Sequence, residues 1–315
     1  MRSVPKLEFL KIRDFSQRLN ATFEFVRQNF VPLVKCLAII VTPLLALSAA
    51  GLALIANQDG SSLTDLGTNP MSLLFSPKAG ILLGTMFMLV YAVMSLVVYS
   101  YVKLYTTIPD KSAFSVDEVV KEARKHVFKV LFSWVAIVFI LALLPLLVAA
   151  AYFVTDSAGL TFFLGFVAFF PVAYVSIPLW NFLVLAQLME NLSFVGAFKR
   201  AFAVVRENWW PCLGFNLILA LLQSMIGYLF YLPLAIYWIY IYFTTLDWAA
   251  AEANPGISAA LTVFYYLGSY LLQFISLTGN TFQYYQLVEE HDSVGLSARI
   301  ALIGQPVALD WDEDY

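Results

Sequence analysis

The stretch FEFVRQNFVP at residues 23–32 returns as FAVVRENWWP at residues 202–211, with Phe, Val, Arg, Asn and Pro at the same five of ten positions. An aromatic residue fills a sixth shared position, Phe30 in one copy and Trp209 in the other. Each copy stands directly before a long apolar run. Working outward, Phe15, Leu19, Phe23, Val26 and Phe30 are spaced 4, 4, 3, 4, and Phe194, Phe198, Phe202, Val205 and Trp209 keep the same spacing. That spacing gathers the five side chains on one face of a helix. The polar face carries Arg18, Glu24, Arg27 and Gln28 in the first copy and Lys199, Arg206 and Glu207 in the second.

A third, weaker copy precedes another apolar run. Val116, Val120, Ala123 and Val127 carry the 4, 3, 4 part of the spacing, Arg124 takes the place of the shared Arg, and His126 that of the shared Asn. Ser115 and Glu118 have capping-box spacing. The phrase is expected to form a corner: a basic amphipathic helix in the membrane interface, a stop, then a span. Asn29 and Asn208 would end the surface helix in the left-handed conformation. Pro32 and Pro211 would open the next helix. Phe30, Trp209 and Trp210 belong at headgroup depth. The lipid- or interface-binding candidates are therefore Arg27, Asn29, Phe30, Arg206, Asn208, Trp209 and Trp210.

The chain of 315 residues is 61% hydrophobic, 16% aromatic and only 12% charged, which is the composition of a polytopic membrane domain and not of soluble ones. Six apolar runs are long enough to cross a bilayer, at about 33–56, 80–104, 129–154, 159–189, 211–243 and 258–288. Pro43, Pro145, Pro171, Pro178 and Pro233 lie within them as expected kink sites. No cleavable signal sequence is expected ahead of the first run. Of the 18 lysines and arginines, 17 fall on one side of the resulting topology. The positive-inside bias makes that side, and both termini, cytoplasmic. The expected organisation is a cytoplasmic N-terminal segment (1–32), a six-span membrane domain (33–288) and an acidic cytoplasmic tail (289–315). The fold class is an all-α membrane protein, its six transmembrane helices arranged as three pseudo-repeats of amphipathic interfacial helix plus transmembrane hairpin. Sequons at Asn20 and Asn191 fall on the cytoplasmic side and are read as chance.

Chemistry is sparse. The sequence holds two histidines and two cysteines, with no P-loop, GxSxG or HExxH motif and no metal-spaced Cys/His set. Cys36 and Cys212 sit just inside apolar runs and read as small buried residues. The one dense polar cluster at a span edge is Glu289-Glu290-His291-Asp292, which makes Glu289, Glu290 and His291 weak metal or acid candidates. It resembles the paired glutamates of glutamate-dependent intramembrane proteases. Their pattern places Arg four positions after the second Glu, where this chain has Val294. Within the runs the polar groups are uncharged: Asn181, Gln187, Asn216, Gln223, Gln273, Asn280 and Gln283. These are expected to bond between helices. The basic residues are accounted for by topology, so nucleic acid is not an expected partner.

The repeated phrase, the stretch SFVGAFKRAFAVV (193–205) and the tail GLSARIALIG (295–304) resemble a broad group of bacterial integral membrane proteins, similar to the membrane domain fused to some glycerophosphodiester phosphodiesterases. The phosphodiesterase barrel and its metal-binding carboxylates have no counterpart here. The resemblance implies placement in a bacterial inner membrane and supplies no catalytic residues. The function expected is a non-enzymatic scaffold or accessory protein that engages membrane lipids, or a membrane protein partner, through its basic cytoplasmic helices. No cofactor and no metal are expected. The alternatives are a channel or carrier for a neutral or lipid-like solute, and an intramembrane hydrolase.

Overall fold

A computed structural model describes residues 6–58, 77–108, 113–137, 139, 178–246, 255–293, 297 and 300. Among the described residues the regular structure is entirely helical. In chain order the helices are α1 (Phe15–Gln58), α2 (Pro77–Thr107), α3 (Val116–Arg124), α4 (Val127–Ile137), α5 (Pro178–Met189), α6 (Phe194–Arg206), α7 (Trp209–Thr245), α8 (Pro255–Leu271) and α9 (Gln273–Asp292).

Four stretches are long and apolar enough to cross a membrane: Phe15–Leu47, Gly84–Thr107, Trp209–Thr245 and Ala260–Asp292. They answer to the expected first, second, fifth and sixth spans. Most of the expected third and fourth spans, with Pro145 and Pro171, lies outside the described residues. Their described ends are the short apolar helices α4 and α5, and Pro178 opens α5. The acidic tail also falls almost wholly outside. Pro32 and Pro43 lie inside α1, and Pro233 lies inside α7. The last fifteen residues of the notional sixth span are among the most buried in the chain, which apolarity alone does not explain.

The reason is α9. Its sequence mixes apolar residues with Thr278, Asn280, Thr281, Gln283, Gln286 and Glu289, and all of these are buried. A helix this polar is held against protein in preference to hydrocarbon. It packs against α1, α2, α6, α7 and α8. Helix α2 is the second inner element, with Ser95, Tyr99, Ser100 and Tyr101 buried along it. Helix α7 is mostly apolar, carries no charged residue, and presents Leu217, Leu221, Met225, Leu229, Leu232 and Ile236 outward. That outward apolar surface is what a lipid-facing helix requires.

Local chemistry fixes the helix starts. Asp14 caps α1: its Oδ1 takes the Gln17 N–H at 2.8 Å, while Gln17 Oε1 takes the Asp14 N–H at 3.4 Å. Ser115 and Glu118 form the expected capping box of α3.

Close approaches of backbone set the packing of α8 on α7. A methyl at Gly268 would lie 2.1 Å from the Phe230 ring, whereas one at Gly84 would meet nothing within 4 Å. Gly268→Ala is expected to destabilise the protein by about 1–3 kcal/mol through overpacking. Gly84→Ala is expected to be neutral to slightly stabilising. Thermal midpoints of the two variants in the same detergent check the contrast.

Candidate functional site

One end of the bundle collects the charges. The segment ahead of α1 crosses the ends of α2 and α9: Lys6 Nζ donates to Tyr105 O at 2.9 Å, and the Arg13 N–H donates to Gln286 Oε1 at 2.5 Å. Phe9 stacks on Phe282 with ring centres 4.5 Å apart. The starts of α1 and α7 and the ends of α2 and α9 therefore meet at this basic end. All three copies of the repeated phrase lie there.

The first copy forms no corner. Helix α1 runs without interruption through Phe23–Pro32, so Pro32 lies inside a helix and does not open one. Asn29 is not a left-handed cap. It is 2% exposed, donates Nδ2–H to Phe25 O at 3.0 Å and accepts the Tyr101 hydroxyl at 2.9 Å. The Phe114 backbone also bonds that hydroxyl. The pull of this buried pair explains the straight helix: a turn at Asn29 would strand two polar groups. Arg18, expected on the outer face, is buried as well. Its guanidinium lies 5.3 Å from the Phe215 ring centre and 5.9 Å from that of Phe15. Arg27 does face outward, its side chain 77% exposed and paired with Glu24 at 2.9 Å. Phe30 is half exposed, its edge against Phe274.

The second copy does turn. Helix α6 closes at Arg206, Glu207 caps it, and α7 begins at Trp209. Asn208 has φ −120°, not a left-handed value, so it opens α7 and its carbonyl takes the Cys212 N–H at 3.0 Å. The left-handed non-glycine residues among those described are Asn191, Leu246 and Ser293. Pro211 falls in the first turn of α7, and its carbonyl accepts from Gln283 at 3.4 Å. Trp209 is half-buried, Trp210 is 81% exposed and Arg206 is exposed.

The third copy keeps the same burial register. Thr22, Val119 and Ala201 occupy equivalent places and are buried, as are Val26, Ala123 and Val205. One residue further on, Arg27, Arg124 and Arg206 are all exposed. The apolar stripe read from the sequence therefore coincides with the buried face only in part, at Val26, Ala123 and Val205. Phe15, Phe30, Phe198 and Phe202 remain substantially open.

Two ion-pair groups brace this end. Glu122 meets Lys103 at 3.1 Å and Lys125 at 2.5 Å, and His126 Nε2 lies 3.0 Å from Lys103 Nζ. Burial opposes the charge on Glu122, but the Lys125 and Lys103 hydrogen bonds outweigh it and leave its carboxyl below the ordinary range. Burial, and then the Lys103 charge, push the His126 imidazole below its usual value, against the smaller pull of Glu122. Arg200 bridges Glu190, at 3.1 Å, and Asp292. Its bond to Asp292 holds the guanidinium above its usual value despite burial. The sequence placed Arg18 on the outer face and gave Glu122, Glu190 and Arg200 no role, because the contacts of Glu122 with Lys103 and of Arg200 with Asp292 join segments that are separate in the chain.

The acidic cluster does not converge. Glu289 is buried on the inner face of α9, while Glu290 and His291 are exposed. Glu290 accepts from Gln286 at 2.6 Å, and His291 Nδ1 lies 2.5 Å from Asp292. Among the described residues no group of three or more His, Cys, Asp or Glu is placed to hold a metal ion. Cys36 and Cys212 are both free and buried. Asn181, Gln187, Gln223 and Gln283 bond between helices as expected, accepting from Tyr99, Ser133 and Ser276 and donating to Pro211 respectively. Asn216 and Asn280 instead donate to carbonyls of their own helices.

Tyr101→Phe leaves Asn29 Oδ1 without its donor and is expected to cost about 1–3 kcal/mol, largely recovered when Asn29→Leu is added. A double-mutant cycle on thermal unfolding measures this. His126 generates a pH dependence. Its folded pKa lies below its usual 6.5, so the unfolded chain takes up the proton first. Its stabilising contribution is complete above about pH 6.5 and is lost as the pH falls through the lower folded value. The thermal midpoint is expected to drop over that window, and His126→Asn, the residue of the other two copies, to flatten the drop.

No family model matches the chain, and neither curated proteins nor solved structures provide a match.

Proposed function

We propose that the chain is a six-span inner-membrane protein built of three interfacial-helix-plus-hairpin units, and that it engages anionic lipid through the arginine face of its basic end. The observation that carries this reading is the common register of Arg27, Arg124 and Arg206, each exposed beside a buried position. Exposed aromatics lie near them: Phe30 in the first copy, Phe128 after the third, and Phe198, Phe202 and Trp210 in the second. Phe198 and Phe202 stack with ring centres 6.5 Å apart. Arginine beside aromatics at the end of apolar helices suits the headgroup layer, where the ring sits at the acyl boundary and the guanidinium pairs with phosphate. The positive-inside bias makes this end cytoplasmic and both termini internal. The resemblance to bacterial membrane domains agrees with that placement. The protein acts here as a scaffold or accessory without catalysis of its own, with lipid as the partner and a membrane protein as the rival.

The test is native mass spectrometry of the protein released from vesicles of equal phosphatidylglycerol and phosphatidylcholine. Wild type is expected to retain phosphatidylglycerol preferentially. The triple variant Arg27→Gln, Arg124→Gln, Arg206→Gln is expected to lose that preference by up to about a hundredfold, since each arginine near an anionic surface contributes roughly 1 kcal/mol, about fivefold. Equal lipid retention by both proteins would overturn the lipid reading. Loss of a co-purifying polypeptide in the variant would move the arginine face to protein docking.

A further inference from the structure

Midway along the apolar helices lies a pocket that is polar and uncharged. It has a volume of about 220 Å3 and lies between α7 and the junction of α8 with α9. Gln223, Ser224 and Tyr228 line it from α7, and Tyr265, Ser269 and Gln273 line it from the other side. Gly227, also in its wall, has 18 residues of the 37-residue α7 on either side. At 1.5 Å per residue that is about 27 Å from each end, so the pocket sits at mid-helix whichever end faces the cytoplasm.

Two features bear on what the pocket can hold. The first is its unmet hydrogen bonds. Gln223 accepts from Ser276 and Ser224 donates to Ala220 O, but Tyr228, Tyr265, Ser269 and Gln273 have no side-chain hydrogen bond among the described residues. The Ser269 hydroxyl is itself fully buried and without a partner. Tyr228 is largely exposed, so among the described lining groups the Ser269 hydroxyl is the one that bears the cost of a buried orphan, on the order of 1–3 kcal/mol unless a guest completes it. The second is the backbone. The helix tightens at Leu272, where the Ile275 N–H takes the carbonyl three residues back, at 3.0 Å, and α8 gives way to α9. No proline stands there. One-turn departures of this kind inside long helices occur where the helix bends around a site, and in transport folds interrupted helices border the bound solute.

We infer that this pocket binds a small uncharged solute carrying several hydroxyl groups. Hydroxyls and carboxamides both donate and accept, so the lining matches a polyol in any of several orientations. It offers no counter-charge, and at this depth an ion without one is excluded by its desolvation cost. The pocket is below the usual size of drug-like sites, which limits the guest to a few heavy atoms. The site is separate from the arginine face and does not depend on the lipid reading.

Saturation-transfer NMR on the full-length protein in nanodiscs tests it, with erythritol as the probe and choline and lactate as charged comparisons. Wild type is expected to give saturable transfer to erythritol and none to either ion. Ser269→Leu fills the pocket and is expected to abolish the transfer. Ser269→Ala keeps the space and is expected to weaken binding by about two- to tenfold, the worth of one hydrogen bond. It stands in if the leucine variant fails to fold. Absence of transfer in wild type would show that the pocket holds water alone and overturn the inference. So would transfer undiminished in both variants, or equal for the charged probes. Loss of lipid preference in the triple arginine variant leaves all these outcomes unchanged.

Discussion

A helix of hydroxyls and amides cannot face hydrocarbon, and α9 is such a helix. Thr278, Asn280, Thr281, Gln283 and Gln286 are buried along it, with Glu289 near its end. Every other long helix is arranged to enclose them. Helix α7 lends Gln223 and the Pro211 carbonyl, the segment before α1 lends the Arg13 N–H, and α5 lends Phe182 against Tyr284. Enclosure also dictates close approach. A Cβ at Gly279 would lie 2.3 Å from Leu219, so the backbone itself forms part of the α7–α9 contact. Apolar burial drives little association between helices that lipid solvates equally well. The polar seam and the small residues beside it therefore do most to specify which helices meet.

The same constraint sorts the polar groups by depth. Charged pairs gather at the basic end: Glu122 with Lys103 and Lys125, Arg200 with Glu190 and Asp292. Midway, the polar groups are neutral. Partly buried ion pairs at the end tie α3 to α2 and α6 to α9 without placing charge among the apolar spans. The division yields two surfaces of different chemistry, an arginine face suited to phosphate and a hydroxyl-lined pocket suited to uncharged guests. His126 is buried at the same end beside Lys103, with its imidazole held below its usual value, which makes that end sensitive to mild acid.

The sequence by itself determined a good deal. Apolar run length marked the four long helices, because hydrocarbon thickness fixes how many residues a span needs. The capping box at Ser115 and the turn at residues 207–208 were legible, since caps and helix starts are set by neighbours in the chain. The outward turn of Arg27 and Arg206 was legible as well, since a charged group on the polar side of an amphipathic helix faces away from the packed side. The direction of the buried face was not. Periodicity marked Phe15, Phe30, Phe198 and Phe202 as one stripe, and hydrophobicity alone cannot distinguish a face packed on protein from one packed on lipid.

Only the tertiary structure decided that α1 is continuous. FEFVRQNFVP and FAVVRENWWP share their Asn and Pro, yet one runs straight and the other turns. Tyr101, 72 residues away, takes up the first Asn and holds the helix through Pro32, while the second Asn makes no side-chain cap bond among the described residues and opens a new helix. Likewise Ser269 and Gln273 become part of one pocket with Tyr228 only when α8 docks on α7 at Gly268. A hydrogen bond is specified by where its partner stands in space, and for these residues that partner is far away in the chain.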